Sequence, residues 1–429
     1  MADARGCVHT DNVRGKRVNK IFKKIVEFIR GQQKPFKVNL VRASANTFLT
    51  RLTRQYRSVY ILRLGATTFQ LGLVDSVGGV AGTVVATPTG WLADKHGIRK
   101  MFLIATPLMA LGSLLLGMAP DWTATIPGVF LILLATQLLS TACPMVCGSY
   151  LKNEERATGK QLCDTLSAVP GLVAPMIAAT LISGFGGLKA EGIRYLYFFH
   201  SIGFLLVLIF VYRFYFDVRK KQAPLSSSNF VEGVGQVFQR GRAVKRWIVY
   251  IFLSSTTFYL GATYLSAFVT EIKLGDEFVV GSVTTASLVL PLLLALLLGH
   301  LADTFGRKRV LYLTISLYCA SLLLLVYAQN MVMLLISGVL QGFYVLSAVT
   351  QGAITAELVP VQLLGRWYGV LNLFRGLASI TAPLVGGFVW STMGPEYVFF
   401  FMVVIEVSKM ILLWLVVPET LRRNRSIVF

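Results

Sequence analysis

Long apolar stretches recur along the whole chain and are separated by short polar segments. A helix needs about 20 apolar residues to cross a bilayer core about 30 Å thick, so each stretch predicts one membrane-spanning helix. The run from Leu288 to Leu298 shows no alternation of apolar and polar positions, whereas the strands of a membrane β-barrel alternate. The pattern therefore predicts helices, and it places twelve of them at 39–62, 70–93, 100–119, 125–150, 161–185, 193–216, 246–270, 278–302, 309–328, 331–357, 366–391 and 396–418.

A polar segment after the sixth stretch divides the predicted helices into two groups of six. We therefore expect an all-α integral membrane protein made of two pseudo-symmetric six-helix bundles. Before the first bundle, apolar residues from Val18 to Ile29 recur at helical spacing among lysines, which predicts either an interfacial helix on an anionic lipid leaflet or a solvated arm. The predicted parts are a basic arm at 1–38, bundles at 39–216 and 246–418, a cytoplasmic linker at 217–245 and a tail at 419–429.

The composition agrees with a membrane protein, because 55% of the residues are hydrophobic and 14% are charged, against about 25% charged residues in soluble domains. The formal net charge of +21 would indicate a nucleic-acid partner in a soluble protein. Apolar runs interrupt the basic residues here, so we expect no nucleic-acid partner. Thirty of the 41 Lys and Arg fall in segments on the side of the termini, and only Arg63, Lys189, Arg194 and Lys273 fall at the opposite side. This bias predicts a multi-pass protein of the cell membrane with both termini in the cytoplasm.

One sequence motif occurs in each half at matching positions. The segment from Gly90 to Lys100 reads GWLADKHGIRK, and the segment from Gly299 to Arg309 reads GHLADTFGRKR. Each copy follows the second predicted helix of its half. Duplicated halves are typical of secondary transporters, which bind their substrate where the repeats meet. The motif resembles the loop between the second and third spans of the major facilitator superfamily.

The resemblance covers residues 39–420 and implies a twelve-helix transporter that works by alternating access. In the family, this motif is taken to latch the two halves together on the cytoplasmic side. Two features depart from the proton-driven drug antiporters of the family. The fourth predicted span lacks an arginine, and the glycine–proline pattern of the fifth is only partly present, so proton coupling and direction are both open. Carried over to this chain, the latch consists of Gly90, Asp94, Gly97, Arg99, Lys100, Gly299, Asp303, Gly306, Arg307 and Lys308.

Basic residues inside the predicted spans indicate a polar interior, because each costs about 2.5–3.5 kcal/mol at the centre of a bilayer. Arg51, Arg54 and Arg57 follow one another at intervals of three, which in an α-helix places them within an arc of about 120°. They either bind an anion such as a carboxylate or phosphate or form internal salt bridges. Arg57 and Asp75 lie at similar depths on adjacent antiparallel spans, so we expect these two residues to pair.

Further charged residues lie in other spans. Arg375 stands near mid-depth of the eleventh span, which lines the central cavity in the family, so we predict that Arg51, Arg54 and Arg375 bind the substrate. If protons are coupled to transport, Asp75 or Asp164 is the predicted carrier. Glu406 and Lys409, three residues apart on the twelfth span, are expected to neutralise each other, and His200 is interpreted as a packing residue.

Other classes of function find no support in the residues. Cys143 and Cys147 share a helix face but lack nearby His or carboxylate partners, so we predict no metal site and no cofactor. The spans contain no nucleophile–base pair, so we expect no enzyme, and neither 1–38 nor 217–245 resembles a signalling module. The prediction is a monomeric secondary active transporter of a small anionic solute, with protons as a candidate co-substrate. A proton-coupled multidrug efflux antiporter and a facilitative uniporter stay open as alternatives.

Overall fold

The structure is a computed structural model that describes residues 27–151, 156–216, 242–359 and 364–416. These residues form helices joined by short loops, with no β-strand among them. A 3₁₀ turn at Arg54–Tyr56 joins the first two helices, which together occupy the first predicted span. In chain order the helices are α1 Lys34–Thr53, α2 Arg57–Arg63, α3 Thr68–His96, α4 Ile98–Met118, α5 Thr125–Tyr150, α6 Arg156–Gly184, α7 Ala190–Phe214, α8 Arg242–Glu271, α9 Glu277–Phe305, α10 Arg307–Tyr327, α11 Met331–Glu357, α12 Leu364–Thr392 and α13 Pro395–Val416.

Every predicted span coincides with helix in the structure. Among the residues that the structure describes, ten helices, α4 to α13, are long and apolar enough to cross a membrane. Helix α1 is not among them, since its 20 residues include four basic side chains, Lys34, Lys37, Arg42 and Arg51. Helix α3 is also outside this set, so the count of twelve crossings stays a prediction.

The predicted linker at 217–245 extends too far at its second boundary. Helix α8 begins at Arg242, because Val244 and Trp247 pack into the C-terminal core with 2% and 0% of their surface exposed. Burial of these two apolar side chains extends the helix past the basic residues between them. The rest of the linker, the arm before residue 27 and the tail lie outside the described residues, and so does most of the predicted amphipathic stretch.

The helices form two groups, residues 34–214 (the N half) and 242–416 (the C half). The most extensive contacts between the halves join α3 to α12 and α6 to α9, which are the second and fifth spans of one half against the fifth and second of the other. Successive helices run antiparallel, so the chain enters and leaves both halves at one face, named here the termini face. The opposite face is named the loop face.

Small residues let the two halves approach closely. A Cβ atom on Gly79 of α3 would lie 2.6 Å from the carbonyl oxygen of Ser379 on α12, and a Cβ on Gly72 would overlap the carbonyl of Pro383. Ser76, on the same helix, donates a hydrogen bond of 2.6 Å to the carbonyl of Ile380. Such contacts need small side chains at the interface, as is typical of packed membrane helices. They join the halves from mid-depth to the loop face.

Candidate functional site

A cavity of about 320 Å³ lies between the two halves at mid-depth. This volume is at the small end of the range for small-molecule binding sites. Part of the wall is apolar and contains Met109, Ile132, Leu133 and Phe258. The charged residues of the wall are Arg54, Arg57, Asp75 and Arg375.

The 3₁₀ turn decides which arginines of the first span reach this cavity. Residues three apart in a 3₁₀ helix eclipse one another, so Arg54 and Arg57 project on the same side, and both line the cavity. Arg51 precedes the turn and packs against α6, where its Cδ lies 2.6 Å from the position of a Cβ on Gly171. Arg51 is not a lining residue, which corrects the prediction that it shares the site with Arg54. That prediction assumed an uninterrupted α-helix.

Arg57 and Asp75 form the ion pair expected from their matching depths. Nη2 of Arg57 lies 2.9 Å from Oδ1 of Asp75, and the two side chains are 15% and 5% exposed. The other carboxylate oxygen, Oδ2, accepts a hydrogen bond of 2.6 Å from the hydroxyl of Thr263 on α8. Asp75 therefore neutralises Arg57 within the N half and also connects the N half to the C half.

Arg54 and Arg375 reach the cavity from opposite halves without a carboxylate partner in the described part of the chain. The guanidinium of Arg54 lies 5.2 Å from the ring centroid of Phe258, and Nη1 of Arg375 donates a hydrogen bond of 3.0 Å to Oδ1 of Asn372. Neither contact neutralises a positive charge. Because the Arg57–Asp75 pair is neutral, the charged side chains of the wall leave a net charge of two positive units.

Asp164, the second acidic residue considered for coupling, lies elsewhere. It forms an ion pair with Lys160 one turn earlier on α6, and its side chain is 52% exposed. Asp164 is not among the residues that line the cavity. The structure therefore does not bring it together with Asp75.

Two glycines of the predicted latch mark sharp breaks at the termini face. Gly97 separates α3 from α4 with φ at +83°, and Gly306 separates α9 from α10 with φ at +105°. Residues other than glycine rarely adopt a positive φ, which explains why both positions are glycine. Gly299 lies within α9, with open space where a Cβ would be.

The described basic residues of the latch contact neighbouring helices at the termini face. Nη2 of Arg99 donates a hydrogen bond of 3.1 Å to the carbonyl of Tyr212. Arg307 forms an ion pair with Glu357, and Lys308 donates a hydrogen bond of 3.3 Å to a carbonyl of α13. Lys100 is exposed. The side chains of the remaining latch residues, Asp94 and Asp303, and the surroundings of Gly90 lie outside the described part of the chain.

The structure adds His200 and Tyr197 to the cavity wall, which the sequence interpretation missed. Nδ1 of His200 lies 2.5 Å from the hydroxyl of Ser113 on α4. Nε2 of His200 and the hydroxyl of Tyr197 have no hydrogen-bond partner among the described residues. A lone histidine gives no spacing pattern to read, so only the fold reveals its position.

Glu406 and Lys409 neutralise each other as expected, and both are buried. Nζ of Lys409 lies 2.8 Å from the carboxylate of Glu406, each side chain is 1% exposed, and the ammonium lies 3.4 Å from the hydroxyl of Ser254 on α8. It also lies 5.3 Å from the ring centroid of Tyr250. The pair does not line the cavity, which supports a structural role.

Relatives of this chain are described as multidrug resistance proteins, an efflux pump homolog and MFS-type transporters. A multidrug resistance protein MdtG of Yersinia enterocolitica is 26% identical over 85% of this chain and 89% of its own length. A multi-drug resistance efflux pump PmrA homolog of Lactococcus lactis is 26% identical over 78% of this chain and 83% of its own length. An uncharacterized MFS-type transporter of Mycobacterium tuberculosis is 31% identical over 30% of this chain, a match that spans only 19% of that relative.

Solved structures share the fold. A variant of the nucleoside transporter NupG superposes with a TM-score of 0.74 over 89% of this chain and 99% of its own, at 15% sequence identity. The family profile described as Major Facilitator Superfamily matches residues 43–275 and 252–427, two overlapping matches that together cover both halves. The resemblance inferred from the repeated motif is thereby confirmed, together with the all-helical transporter fold and the assignment as a membrane transporter rather than an enzyme. The chain belongs to the major facilitator superfamily.

Proposed function

We propose that the protein transports a small organic anion by alternating access and that Arg54 and Arg375 bind the anionic group. The observation that carries the proposal is the position of these two arginines, which line one cavity from opposite halves without a carboxylate partner among the described residues. A guanidinium presents several donors to a carboxylate, sulfonate or phosphate, often in pairs. An anion between Arg54 and Arg375 contacts both halves, so its binding favours conformations in which both arginines reach it.

The apolar part of the wall favours an organic substrate. Met109, Ile132 and Leu133 lie on N-half helices, and Phe258 contributes an aromatic ring from the C half beside the guanidinium of Arg54. An inorganic anion would leave these side chains facing water. An anion with a small apolar body would contact the arginines with its charged group and the apolar side chains with its body.

Contacts at the loop face support alternating access. Nη2 of Arg63 lies 3.0 Å from Oε1 of Glu271, and the hydroxyl of Tyr56 donates a hydrogen bond of 2.8 Å to the carbonyl of Glu277. Each of these contacts joins the N half to the C half. They favour a conformation in which the loop face is closed and the cavity is reached from the termini face.

The direction of opening follows from the charge bias along the sequence. If the termini lie in the cytoplasm, as the distribution of Lys and Arg predicts, this conformation faces inward. The two predicted bundles, 39–216 and 246–418, then act as the rocking units. In this scheme the repeated motif holds the opposite, outward-facing state.

The test is transport by the full chain in proteoliposomes. The solutes are radiolabelled benzenesulfonate and uridine monophosphate as organic anions, phosphate as an inorganic anion, uridine as a neutral solute and ethidium as a cation. We expect at least one organic anion to exchange. Charge-assisted hydrogen bonds contribute about 1.5–3 kcal/mol each, so Arg54→Gln and Arg375→Gln are each expected to raise the KM for that anion by about ten- to hundred-fold.

Arg51→Gln is the matched control, because it removes the same charge from the same span at a position that does not line the cavity. We expect this variant to keep the KM of the unmodified protein. Transport of no anion, or equal effects of Arg51→Gln and Arg54→Gln on KM, contradicts the proposal. Measurement with and without a proton gradient separates coupled transport from facilitative uniport.

The second candidate function is proton-coupled efflux of drug-like cations or neutral compounds. Its support is the description of the relatives MdtG and PmrA as multidrug resistance and efflux proteins, together with the apolar part of the cavity wall. In the same assay this function predicts proton-driven ethidium transport that Arg54→Gln and Arg375→Gln leave intact. Anion exchange without ethidium transport contradicts it.

A further inference from the structure

Two unpaired polar atoms lie in one stretch of the cavity wall. They are Nε2 of His200 and the hydroxyl of Tyr197, which have no partner in the part of the chain that the structure describes. The residues are three apart on α7 and therefore share a face of that helix. Their side chains are 1% and 2% exposed. Buried polar atoms normally have hydrogen-bond partners, so two unpaired atoms in the wall of one cavity indicate that a ligand supplies the missing partner.

The hydrogen-bond pattern around His200 favours one tautomer. The hydroxyl of Ser113 lies 2.7 Å from the carbonyl of Met109, to which it can donate its only hydrogen. The same oxygen lies 2.5 Å from Nδ1 of His200, and with its hydrogen on the carbonyl of Met109 it accepts from an Nδ1–H group there. In the neutral imidazole, Nε2 is then a proton acceptor with a free lone pair.

The ligand of Nε2 is smaller than the transported anion. Because His200 and Tyr197 are almost fully buried, a bulky group in the cavity cannot make direct contact with both polar atoms. A proton needs no more room at Nε2 than the lone pair of the nitrogen occupies. Of the two unpaired atoms, the imidazole nitrogen is the base, because it binds a proton to form a cation whereas a phenol hydroxyl does not.

We propose that His200 binds a proton that is transported together with the anion. This inference rests on the anion site proposed above. With Arg54, Arg57 and Arg375 against Asp75, the empty cavity wall is positive, so a proton on His200 adds a charge of the same sign. An anion bound to the arginines offsets that repulsion. By reciprocal linkage, a bound proton strengthens anion binding to the same extent, and the two ligands move in the same direction.

His200 is a better proton carrier than the acidic residue of the cavity wall. The one carboxylate among the charged residues of the wall, Asp75, already pairs with Arg57 and accepts from Thr263, so its protonation would break an existing ion pair. Protonation of His200 breaks no contact, since Nδ1 keeps its hydrogen bond to Ser113. The other charged and titratable groups of the cavity wall are Arg54 and Arg57 from the first span, Tyr197 from the same helix as His200, Asp75 from α3, Tyr259 from α8 and Arg375 from α12, while α4 contributes the hydroxyl of Ser113 beside Nδ1.

The first test measures coupling with benzenesulfonate, which stays ionised and so does not cross lipid as a neutral acid. Full-length protein in proteoliposomes is assayed for counterflow exchange and for accumulation driven by an inside-alkaline pH gradient. We expect accumulation several-fold above equilibrium in the unmodified protein and in His300→Gln, an exposed histidine that serves as control. In His200→Gln we expect accumulation to fall to the equilibrium level, while the counterflow exchange that remains shows that the variant is folded and still moves the anion.

The second test observes the proton on His200 directly and does not depend on the folding of His200→Gln. The chain has four histidines, so in the ¹⁵N-histidine-labelled triple variant H9Q/H96Q/H300Q the two ring-nitrogen NMR signals come from His200 alone. We expect the Nδ1–H tautomer near neutral pH and a midpoint of protonation that rises when benzenesulfonate is added.

Three results overturn the inference. They are accumulation by His200→Gln equal to that of the unmodified protein, exchange without gradient-driven accumulation in the unmodified protein, and a titration of His200 that benzenesulfonate does not shift. Absence of exchange for both benzenesulfonate and uridine monophosphate is a different failure. That result contradicts the proposed anion transport itself and removes the basis of the coupling.

Discussion

Close packing of α3 on α12 sets the separation of the two halves at the loop face, and the substitution Gly79→Ala tests this directly. The added Cβ would lie 2.6 Å from the carbonyl oxygen and 2.8 Å from the carbonyl carbon of Ser379. Ordinary contacts begin at 3.4 Å, so the backbones must separate by about 0.8 Å. The neighbouring atoms belong to the backbone of a helix, which has no flexible end that can move aside.

The expected size of the effect follows from the cost of overpacking. Forcing an extra carbon into a packed interface costs about 1–3 kcal/mol. Since this strain exists only while the loop face is closed, the ratio of closed to open molecules should fall by about 5- to 150-fold. Gly82→Ala is the matched control, because it lies on the same helix three residues later and its Cβ meets no atom within 4 Å. Both substitutions change helix propensity equally, so the difference between them isolates the contact with Ser379.

Distances between spin labels at the loop face provide the assay. Lys189→Cys in the N half and Leu274→Cys in the C half lie in exposed loops, and the five native cysteines are replaced by serine to avoid background labelling. Gly79→Ala should shift the distance distribution towards longer separations, while Gly82→Ala should leave it unchanged. Identical distributions for Gly79→Ala and Gly82→Ala would refute the view that this glycine contact closes the loop face.

Two buried ion pairs give further predictions, both measured as thermal unfolding of detergent-purified protein. Asp75→Asn leaves Arg57 without its counter-charge, so we expect the free energy of unfolding to fall by about 3–5 kcal/mol. Adding Arg57→Gln to this variant should recover most of the loss. No recovery in the double variant would show that Asp75 stabilises the fold through Thr263 instead. Glu406→Gln should likewise lower the free energy of unfolding by about 3–5 kcal/mol. The double variant Glu406→Leu with Lys409→Met should leave it nearly unchanged, because apolar replacement of a buried ion pair avoids the cost of burying charge. A stable double variant that no longer transports would contradict the purely structural role of this second pair.

The membrane spans could be predicted from the sequence because hydropathy is a local property. A stretch of apolar residues of sufficient length must cross the bilayer or be buried, whichever neighbours it has. Every predicted span accordingly coincides with helix. Helix α8 begins before its predicted span, at Arg242, because Val244 and Trp247 find apolar partners in the folded C half, which lie far away in the sequence.

Pairing of Arg57 with Asp75 could also be predicted, because adjacent antiparallel spans reduce the question to depth in the membrane. The position of Arg51 could not. A 3₁₀ turn after Thr53 changes the angle between successive side chains, and it brings Arg54 and Arg57 onto one side while Arg51 packs on Gly171. Nothing in the residues from 51 to 57 marks such a turn, since it follows from how the first span meets α6 and the C half.

The sequence by itself determined the helical spans, the duplicated motif, the family and the number of charges that must be satisfied inside the membrane. Each of these depends on residue type and spacing along the chain. Only the tertiary structure decided that Arg54 and Arg375 face one cavity, that Asp75 reaches Thr263, and that His200 lies in the same wall. Those relations join residues up to about 320 positions apart in the sequence, and they depend on the rotation of each helix and the close approach of two halves, which packing sets and local pattern does not.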